Sequence, residues 1–578
     1  MVKKIASLAV VPLFLLLWAR LGSQNLTLFS FNALVNYPSP YLGALPPGQE
    51  GDTVAQQVLI VVVDALRADT SRMMPTVNLL RATGADRTAR VGQPSFSLPG
   101  WTVIGTGAWQ EQSGVTLNFY DKDIKVDTLF EAAKRKGLTT ALVAEGPNWW
   151  KRLYTRGVDI LLDFPDPEHP FTDLAAVRRQ DDAIEAAARQ VLRENKPNLM
   201  LVHFIEPDDA GHGQGAASDA YKQAVLTADA RIARLVAAMD LSQATVFVTG
   251  DHGMLDRGGH GGWEPEVTTV PIVAAGKGIK PGKYSEATQA DLAPTAAVLL
   301  GTSLPAHNQG QPLFDMLDIS VELRAKRAVD TADEISTRYA QIMQVLGGPA
   351  IEHKKLEEAK QALGAGNWDA AYQAATADIQ GTWKQAADAR DARLNRERLA
   401  RLPIAIIVLV PFVVYLVIMR RAKWDWRVPV IGLVVYNVVY NGLYFGRGLT
   451  WSLSMFNDES QIVDFFTART VDAMLALVAA ALVVGILSRR RGAYETALNT
   501  INLAFWVAFV LAVQIELFYW LYDVSFSWYL PDMMLGVKYY LDVLQTGAFW
   551  PMVYVPLLLV LPLIALGGRG LAARVRGK

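Results

Sequence analysis

The sequence predicts an α/β fold, with a mostly parallel sheet covered by helices on both faces, followed by a helical segment and a multi-span α-helical membrane domain. Three observations support this. Short β-branched apolar runs alternate with amphipathic helical stretches between residues 55 and 315. Residues 320–401 are charged and helix-rich, and long apolar runs are confined to residues 1–23 and 402–568.

These changes in composition divide the 578-residue chain, which is too long for one domain, into five predicted parts. They are an N-terminal signal anchor (1–23), a proline-containing linker (24–52), an α/β domain (53–318), a helical stalk (319–401) and a five-span transmembrane domain (402–578). A net charge of −1 gives no electrostatic footprint for nucleic acid, so we expect no nucleic-acid partner. The absence of cysteine excludes disulfides and thiolate metal ligands.

The membrane segments can be oriented from their flanking charges. Residues Ile5–Trp18 form either a cleaved signal peptide or a short anchor, and we predict an anchor because no small-x-small cleavage site follows. Five further spans are predicted, at 403–419, 428–446, 470–487, 499–520 and 549–567. Arginine and lysine cluster between the first and second of these, between the third and fourth, and after the fifth. The positive-inside rule then places both termini in the cytoplasm and residues 24–401 outside it.

The α/β region begins with a buried strand, Val58–Val63, which ends at Asp64. A carboxylate there is either a helix cap or a ligand at the carboxyl end of a parallel strand. Ser97 follows, near a predicted helix start. Its hydroxyl is either an N-cap or a group whose anionic form the helix amides stabilise.

Later elements continue the alternation of strands and helices. We predict helices at 129–136, 180–195 and 219–239, and strands at 139–144, 198–205, 244–249 and 269–275. Asp208 and His212 follow the strand at 198–205, while Asp251 and His252 follow the strand at 244–249. His260 lies in a glycine-rich stretch soon afterwards.

Three predicted strands therefore end in Asp, or in Asp with His, at one edge of the sheet. Asp oxygen and His nitrogen together suit Zn²⁺ or a similar divalent cation. The alternative is a set of polar loops with incidental histidines. Three such strand ends in one domain favour a metal site over that alternative.

These residues, in this order and context, resemble the alkaline phosphatase superfamily. The similarity is strongest to type I phosphodiesterases (nucleotide pyrophosphatases) and, in membrane layout, to the ethanolamine-phosphate transferases of GPI synthesis. It covers residues 55–315, including the closing segments Asp291–Gly301 and Leu304–Gly310. The string Ser97–Trp101 lacks the arginine of the sulfatase pattern C/S-x-P-x-R, so a sulfatase is disfavoured.

The resemblance implies a site with two divalent metal ions, zinc in the first instance and manganese as the alternative. One ion would be bound by Asp208, His212 and His260, and the other by Asp64, Asp251, His252 and the oxygen of Ser97. Ser97 would be the nucleophile. Asn118 matches the asparagine that holds a phosphate oxygen in the phosphodiesterases, although a plain loop asparagine is the alternative.

Three functions remain open from the sequence. The first is a membrane-bound phosphoryl-ester hydrolase or phosphoethanolamine-type transferase that acts outside the cytoplasm on a lipid-linked phosphodiester. The second is an ecto-phosphodiesterase or pyrophosphatase of soluble nucleotides. The third is a non-catalytic membrane assembly protein that keeps the fold. A multi-span base favours a lipid substrate or acceptor, and hence the first.

Polar residues within the predicted spans allow two interpretations. Asn437 and Asn441 lie on one helical face, and Gln514 and Glu516 lie in the outer part of a later span. Such groups either join helices by hydrogen bonds or line a lipid-headgroup site. The charged segment 319–401 is interpreted as a stalk, with a partner-binding module as the alternative.

Overall fold

The structure is a computed structural model that describes residues 21, 25–26, 28–145, 149–164, 170–171, 173–421, 425–457 and 460–542. Most of the predicted anchor (1–23) and the whole span 549–567 lie outside the described residues. The chain divides into two compact units, one of residues 34–394 with 527–530, and one that contains 395–526. We call them the α/β unit and the membrane unit.

A nine-stranded sheet forms the centre of the α/β unit. Its strands are Gln57–Val63 (β1), Ala85–Arg90 (β2), Thr140–Glu145 (β3), Ile160–Phe164 (β4), Leu199–Phe204 (β5), Ala244–Thr249 (β6), Thr269–Gly276 (β7), Gly282–Lys283 (β8) and Ala287–Thr288 (β9). Their order is β4-β3-β5-β1-β6-β7-β2-β8, and β9 pairs with β2. All pairs are parallel except those of β7, which runs antiparallel to β6 and β2. The predicted mostly parallel α/β sheet is confirmed.

The register of the three central strands brings the predicted metal ligands to one edge. Val63 of β1 pairs with Phe204 of β5, and Val62 pairs with Thr249 of β6. All three strands are apolar and almost fully buried, as a parallel sheet covered on both faces requires. The chain therefore emerges from all three strands at the same edge, with the candidate ligands in the segments that follow.

Helices cover both faces of the sheet. The helices of this unit are Pro75–Thr83, Ser97–Thr106, Gln110–Ser113, Leu129–Arg135, Trp149–Tyr154, Leu174–Glu194, Glu206–Gln214, Asp219–Val236, Pro265–Thr268, Leu292–Leu300, Val321–Leu346 and Lys354–Gly364, with most of Trp368–Ala405. On one face, Leu59, Val61 and Val63 pack with apolar residues of 75–83, 174–194 and 219–236. The helix at 292–300 contacts β1 and the helix at 129–135 contacts β3, and both of these helices also contact the helix at 97–106.

The polar residues 37–56 have no helix or strand before β1, but residues 28–35, which fall in the predicted extended linker, are helical. The segment 321–405 is helical over almost its whole length, as the charged composition predicts.

The membrane unit contains helices Leu409–Arg421, Arg427–Gly446, Ser460–Ser488 and Ala493–Tyr522. Three helical stretches among the described residues are long and apolar enough to cross a bilayer, namely Arg427–Gly446, Thr467–Ser488 and Tyr494–Tyr522. They match three of the predicted spans, and the chain is an integral membrane protein.

The predicted span 403–419 is not one continuous α-helix. The Trp368–Ala405 helix ends within it, residues 406–408 form a 3₁₀ turn, and Leu409–Arg421 follows. Pro411 has no N–H to donate to the carbonyl of Ile407, so the α-helical ladder is interrupted at this point. The apolar composition alone did not reveal this break.

Candidate metal and phosphoryl-transfer site

The first predicted ligand, Asp64, follows β1 and lies beside the segment after β6. Ala65 adopts a φ of 57°, a conformation that L-residues rarely take. Its N–H donates to Oδ1 of Asp251 at 3.2 Å, and its carbonyl accepts from the hydroxyl of Tyr221 at 2.7 Å. These bonds hold the strained turn, which directs both carboxylates to one place.

Asp64, Asp251, His252 and Ser97 form one half of the site. Nε2 of His252 lies 3.4 Å from Oδ1 of Asp64 and 3.5 Å from Oδ2 of Asp251. Oγ of Ser97 lies 3.1 Å from the same nitrogen. All four side chains are buried, so the structure brings together the residues predicted for the second ion.

Asp208, His212 and His260 form the other half. Asp208 and His212 are four residues apart in the Glu206–Gln214 helix, which places them on one face, and Nε2 of His212 is 3.3 Å from Oδ2 of Asp208. Nε2 of His260 is 3.2 Å from Nε2 of His212 and 3.8 Å from Oδ1 of Asp208. The rings of His252 and His260 stack at 3.9 Å, so the two halves are contiguous.

Among the residues that the structure describes, two groups of side chains have ligand atoms within 4.8 Å of one another, as a metal ion requires. They are Asp64, Asp251 and His252, and Asp208, His252 and His260. His252 is thus shared between the groups, whereas the resemblance gave it to one ion and assigned His212 to the other. The difference arises because His252 and His260 stack directly on each other.

The chemistry of these donors fits divalent cations. Oδ1 of Asp64, Oδ1 of Asp208 and Oδ2 of Asp251 are buried and have no hydrogen-bond partner in the part of the chain that the structure describes. A buried carboxylate oxygen without a partner is costly unless a cation completes it. Three such oxygens lie beside one histidine cluster. The protein's own groups therefore leave these carboxylate oxygens without the partners that a bound cation would supply.

The histidines are oriented as metal ligands usually are. Nδ1 of His252 lies 2.9 Å from the carbonyl of Gly253, and Nδ1 of His260 lies 3.3 Å from the carbonyl of Ser95. A carbonyl only accepts, so each Nδ1 carries the proton and donates. Each Nε2 then presents its lone pair to the carboxylates, which is the arrangement that fixes metal-bound imidazoles.

The electrostatics of the buried carboxylates also favour a positive charge at the site. Burial raises the pKa of Asp64 well above its usual value, and repulsion from Asp251 and Asp208 adds to the effect. Burial likewise raises the pKa of Asp251 and lowers that of His260. Burial also acts to raise the pKa of Asp208, but the contact with His212, which hydrogen-bonds to this carboxylate, outweighs it and holds that pKa below its usual range. A divalent cation would keep all three carboxylates ionised.

Ser97 opens the Ser97–Thr106 helix, so its hydroxyl lies at the positive end of the helix dipole. The N–H of the next residue, Leu98, donates to Oδ1 of Asn118 at 3.0 Å. The structure therefore places Asn118 beside Ser97, although the two residues are separated by a helix and a turn. The backbone of Gly100, in the same helix, packs directly against Asp251. A Cβ at this position would lie 2.8 Å from the carbonyl oxygen of Asp251, so a larger residue would not fit.

His203 is a site residue that the sequence prediction missed. It lies inside strand β5, outside every motif of the sequence, and its Nε2 lies 2.9 Å from Oδ2 of Asp64. Burial lowers its pKa to about 3, and its Nδ1 has no partner, so the neutral ring donates from Nε2. Trp101 and Trp150 pack against it. The sequence feature that could have identified His203 is an imidazole within an otherwise apolar buried strand, because a buried polar group needs a hydrogen-bond partner.

Two further sets of hydrogen bonds hold the backbone of the segments that carry the predicted ligands. Nε2 of Gln289 donates to the carbonyl of Asp251 at 2.7 Å. Asp181 accepts from the N–H groups of Ile205 and Glu206, at 3.2 and 3.1 Å, and so holds the start of the helix that carries Asp208. Arg231 completes this buried network, at 3.1 Å from Asp181 and 2.7 Å from Glu206.

Comparison with known proteins matches the part of the chain that carries most of these residues. Residues 58–258 match the sequence model of the family "Type I phosphodiesterase / nucleotide pyrophosphatase". The match includes every predicted ligand except His260, which lies two residues beyond it. The expected resemblance is confirmed at the level of the domain.

The chain is also similar to curated transferases. It is 25% identical over 322 residues to "GPI ethanolamine phosphate transferase 1" of Mus musculus, which covers 48% of this chain and 34% of that protein. It is 26% identical over 313 residues to "GPI ethanolamine phosphate transferase 2" of Aspergillus fumigatus, which covers 48% of this chain and 38% of that protein. The chain thus matches little more than a third of the length of these relatives.

Among solved structures, murine ectonucleotide pyrophosphatase / phosphodiesterase 5 superposes with a TM-score of 0.37 at 15% identity, over 46% of this chain and 100% of that one. Alkaline phosphatase PafA superposes with a TM-score of 0.39 at 12% identity, over 48% of this chain and 100% of that one.

Proposed function

We propose that the protein is a membrane-bound, metal-dependent phosphotransferase that moves a phosphoethanolamine-type group from a lipid-linked phosphodiester, through a serine nucleophile. The observation that carries the proposal is the convergence of Ser97 with six Asp and His side chains at one edge of the sheet. The relatives named as ethanolamine phosphate transferases support the choice of group. Residues 53–318 would form the catalytic domain.

The ligands of the two ions would be those implied by the resemblance. Asp208, His212 and His260 would hold one, and Asp64, Asp251, His252 and Ser97 the other. Divalent cations bound there would supply positive charge to the serine oxygen and to the phosphoryl oxygens of the substrate. Oxygen and imidazole ligands favour zinc, with manganese as the alternative.

Ser97 would carry the group between two alcohols. Its hydroxyl proton is lost to solvent, and Oγ attacks phosphorus while the donor alcohol leaves and takes a proton from water. The ester formed on Ser97 is then attacked by an acceptor hydroxyl, or by water, which releases the serine. The helix amides stabilise the oxyanion of Ser97 at its position at the helix start.

Asn118 would bind a phosphoryl oxygen. Its Oδ1 accepts from Leu98, so the amide is fixed with Nδ2 as a remaining donor beside Ser97. A donor held in place before the reaction stabilises the charge that develops on the phosphoryl oxygens.

The lipid-linked substrate is supported by the membrane unit, whose spans exceed the single helix that an anchor needs. The charge distribution supports an extracytoplasmic catalytic domain, with both termini in the cytoplasm. The bilayer and a lipid-linked donor or acceptor would then be the partners of the protein.

The test compares hydrolysis of bis-p-nitrophenyl phosphate with p-nitrophenyl phosphate by detergent-purified protein in zinc or manganese, with Ser97→Ala as control. We expect preferential cleavage of the diester that depends on Ser97. Cleavage of soluble dinucleotides at a higher rate than of any lipid donor would instead support a nucleotide pyrophosphatase. Full activity of Ser97→Ala, or absence of bound metal together with absence of cleavage, would overturn the proposal.

A further inference from the structure

His212 is the most exposed of the six Asp and His side chains that are proposed to hold metal. Its side chain is 14% exposed, compared with 9% for Asp208 and 5% for His260, and the remaining three are at most 1% exposed. The compact group of Asp208, His252 and His260 does not include it. An imidazole at the edge of a site binds metal well only if neighbouring groups fix the orientation of its ring.

Phe171 supplies such a neighbour. Its ring stacks on the ring of His212, with the centroids 4.7 Å apart and the planes inclined by 21°. Phe171 is itself 36% exposed, so it covers one face of the imidazole on the outer side of the site. The ring of His260 meets His212 nearly edge-on, with centroids 5.0 Å apart. The imidazole therefore cannot rotate out of the site without losing the aromatic stack.

Hydrogen bonds fix the turn that carries Phe171. The N–H of Asp173 donates to the carbonyl of Pro170 at 2.8 Å, which closes the turn around the aromatic residue. The side chain of Asp173 also caps the helix Leu174–Glu194, where it accepts a backbone N–H at 3.1 Å. The turn is thus joined directly to the start of a long helix, and the position of the aromatic ring follows from the position of that helix.

The same long helix is bonded to the helix Glu206–Gln214, which carries the imidazole. Asp181 accepts from the N–H groups of Ile205 and Glu206, at 3.2 and 3.1 Å. Nε of Arg178 lies 2.7 Å from Oε1 of Glu206. These bonds hold the two helices together at the start of the second one, so the aromatic ring and the imidazole stay in contact.

We propose that Phe171 is a positioning residue that holds His212 in the orientation of a metal ligand. The inference rests on the proposed function, because it takes Asp208, His212 and His260 as the ligands of one ion. An imidazole bound to a divalent cation is poorer in electrons, so its stack on the electron-rich face of a phenyl ring becomes more favourable. Phe171 therefore favours the metal-bound form of His212 and raises the affinity for this ion alone.

The test measures zinc binding by the full-length protein in detergent, through competition with a fluorescent zinc chelator. We expect two zinc ions in the wild type. Phe171→Ala should raise the dissociation constant of one ion about tenfold and leave that of the other unchanged. Phe171→Tyr keeps the ring and should bind zinc as the wild type does. Phe171→Leu keeps apolar volume without a ring and should still weaken that one ion.

Two controls separate this role from a general effect on the fold. In a His212→Ala background, Phe171→Ala should cause no further loss of zinc affinity, because the stack is already absent. Phe314→Leu is the matched control for Phe171→Leu, since Phe314 meets the ring of Tyr372 at 5.9 Å and neither residue is a predicted ligand. It should leave the affinity for both ions unchanged. Melting curves show that each variant is folded.

Unchanged zinc affinity in Phe171→Ala, an equal loss in Phe314→Leu, or an equal loss with and without His212 would overturn the proposal. Because turnover is not measured, this result is distinguishable from failure of the proposed function. Two bound zinc ions with no effect of Phe171 would overturn the positioning role alone. A specific effect of Phe171 without Ser97-dependent cleavage would overturn the catalytic proposal alone, and absence of zinc from the wild type would overturn both.

Discussion

The α/β unit and the membrane unit both bury carboxylates, but the charge partners of these carboxylates differ between the two units. Asp64, Asp208 and Asp251 each keep a buried oxygen without a hydrogen-bond partner among the described residues, and the ion-pair contacts of these carboxylates there are with histidines rather than with arginine or lysine. In the membrane unit, buried Asp472 lies between Arg469 at 2.9 Å and Arg447 at 2.6 Å. A charge completed by the protein's own side chains holds the fold together, whereas a group of charges left incomplete indicates a ligand.

The largest expected effect comes from the nucleophile. Ser97→Ala should lower turnover by at least about 10³-fold, because it removes the hydroxyl that attacks phosphorus. Metal content, measured by mass spectrometry on the purified protein, should stay close to that of the wild type, because the Asp and His ligands remain. Loss of both activity and metal would show that Ser97 has a structural role in the site.

The next largest expected effect comes from the cluster of Asp472 with Arg469 and Arg447 in the membrane unit. Asp472→Asn leaves two arginines without their carboxylate and should reduce the stability of this unit by about 3 kcal/mol. Thermal melting in detergent measures the change, and the metal content should not alter. An unchanged melting temperature would break the comparison, because the cluster would then not stabilise the unit.

Chelation should produce a somewhat smaller loss of stability in the α/β unit. At a metal concentration a hundredfold above its dissociation constant, bound metal contributes about 2.7 kcal/mol per site, which a chelator removes. Activity should fall to background and return with zinc or manganese. Chelator should lower the melting temperature of Asp472→Asn by the same increment, since the two clusters are independent. If chelator changed neither the melting temperature nor the activity, the interpretation that the buried carboxylate oxygens of Asp64, Asp208 and Asp251 bind metal would be contradicted.

His203→Phe should have the smallest effect. The ring shape is kept, but the hydrogen bond to Oδ2 of Asp64 is lost, so metal affinity should fall about 10- to 100-fold. Competition with a fluorescent zinc chelator measures it. His353→Phe is a matched control, because Nδ1 of His353 lies 2.7 Å from Asp378 in a histidine–aspartate pair of the helical segment. Equal losses in the two variants would argue against a specific role for His203.

The sequence could indicate this candidate site because its signals are local. Each ligand pair directly follows an apolar strand, and parallel strands that end together bring such segments to one edge of a sheet. The order of Asp64, Ser97, Asp208, Asp251 and His260 along the chain was therefore enough to propose one cluster. The structure shows all of them within contact distance of His252, of His260 or of each other.

What the sequence did not predict depends on contacts distant along the chain. Gln289 and Arg231 have no motif, and their roles follow only from which carbonyl or carboxylate they meet in the fold. Strand β2, Ala85–Arg90, has no apolar run, since it lies towards the edge of the sheet, and pairing with β7 decides its conformation. In the same way, the break before Pro411 depends on a missing hydrogen bond and not on hydropathy.

The most direct test of the central claim is to detect the group on Ser97. Full-length protein would be incubated with phosphatidylethanolamine labelled in its headgroup, quenched in acid and digested, and the peptide that contains Ser97 analysed by mass spectrometry. The account predicts a labelled phosphoethanolamine ester on Ser97 that disappears when an acceptor alcohol is added. Turnover of the same lipid with no label on Ser97 at any time would contradict it.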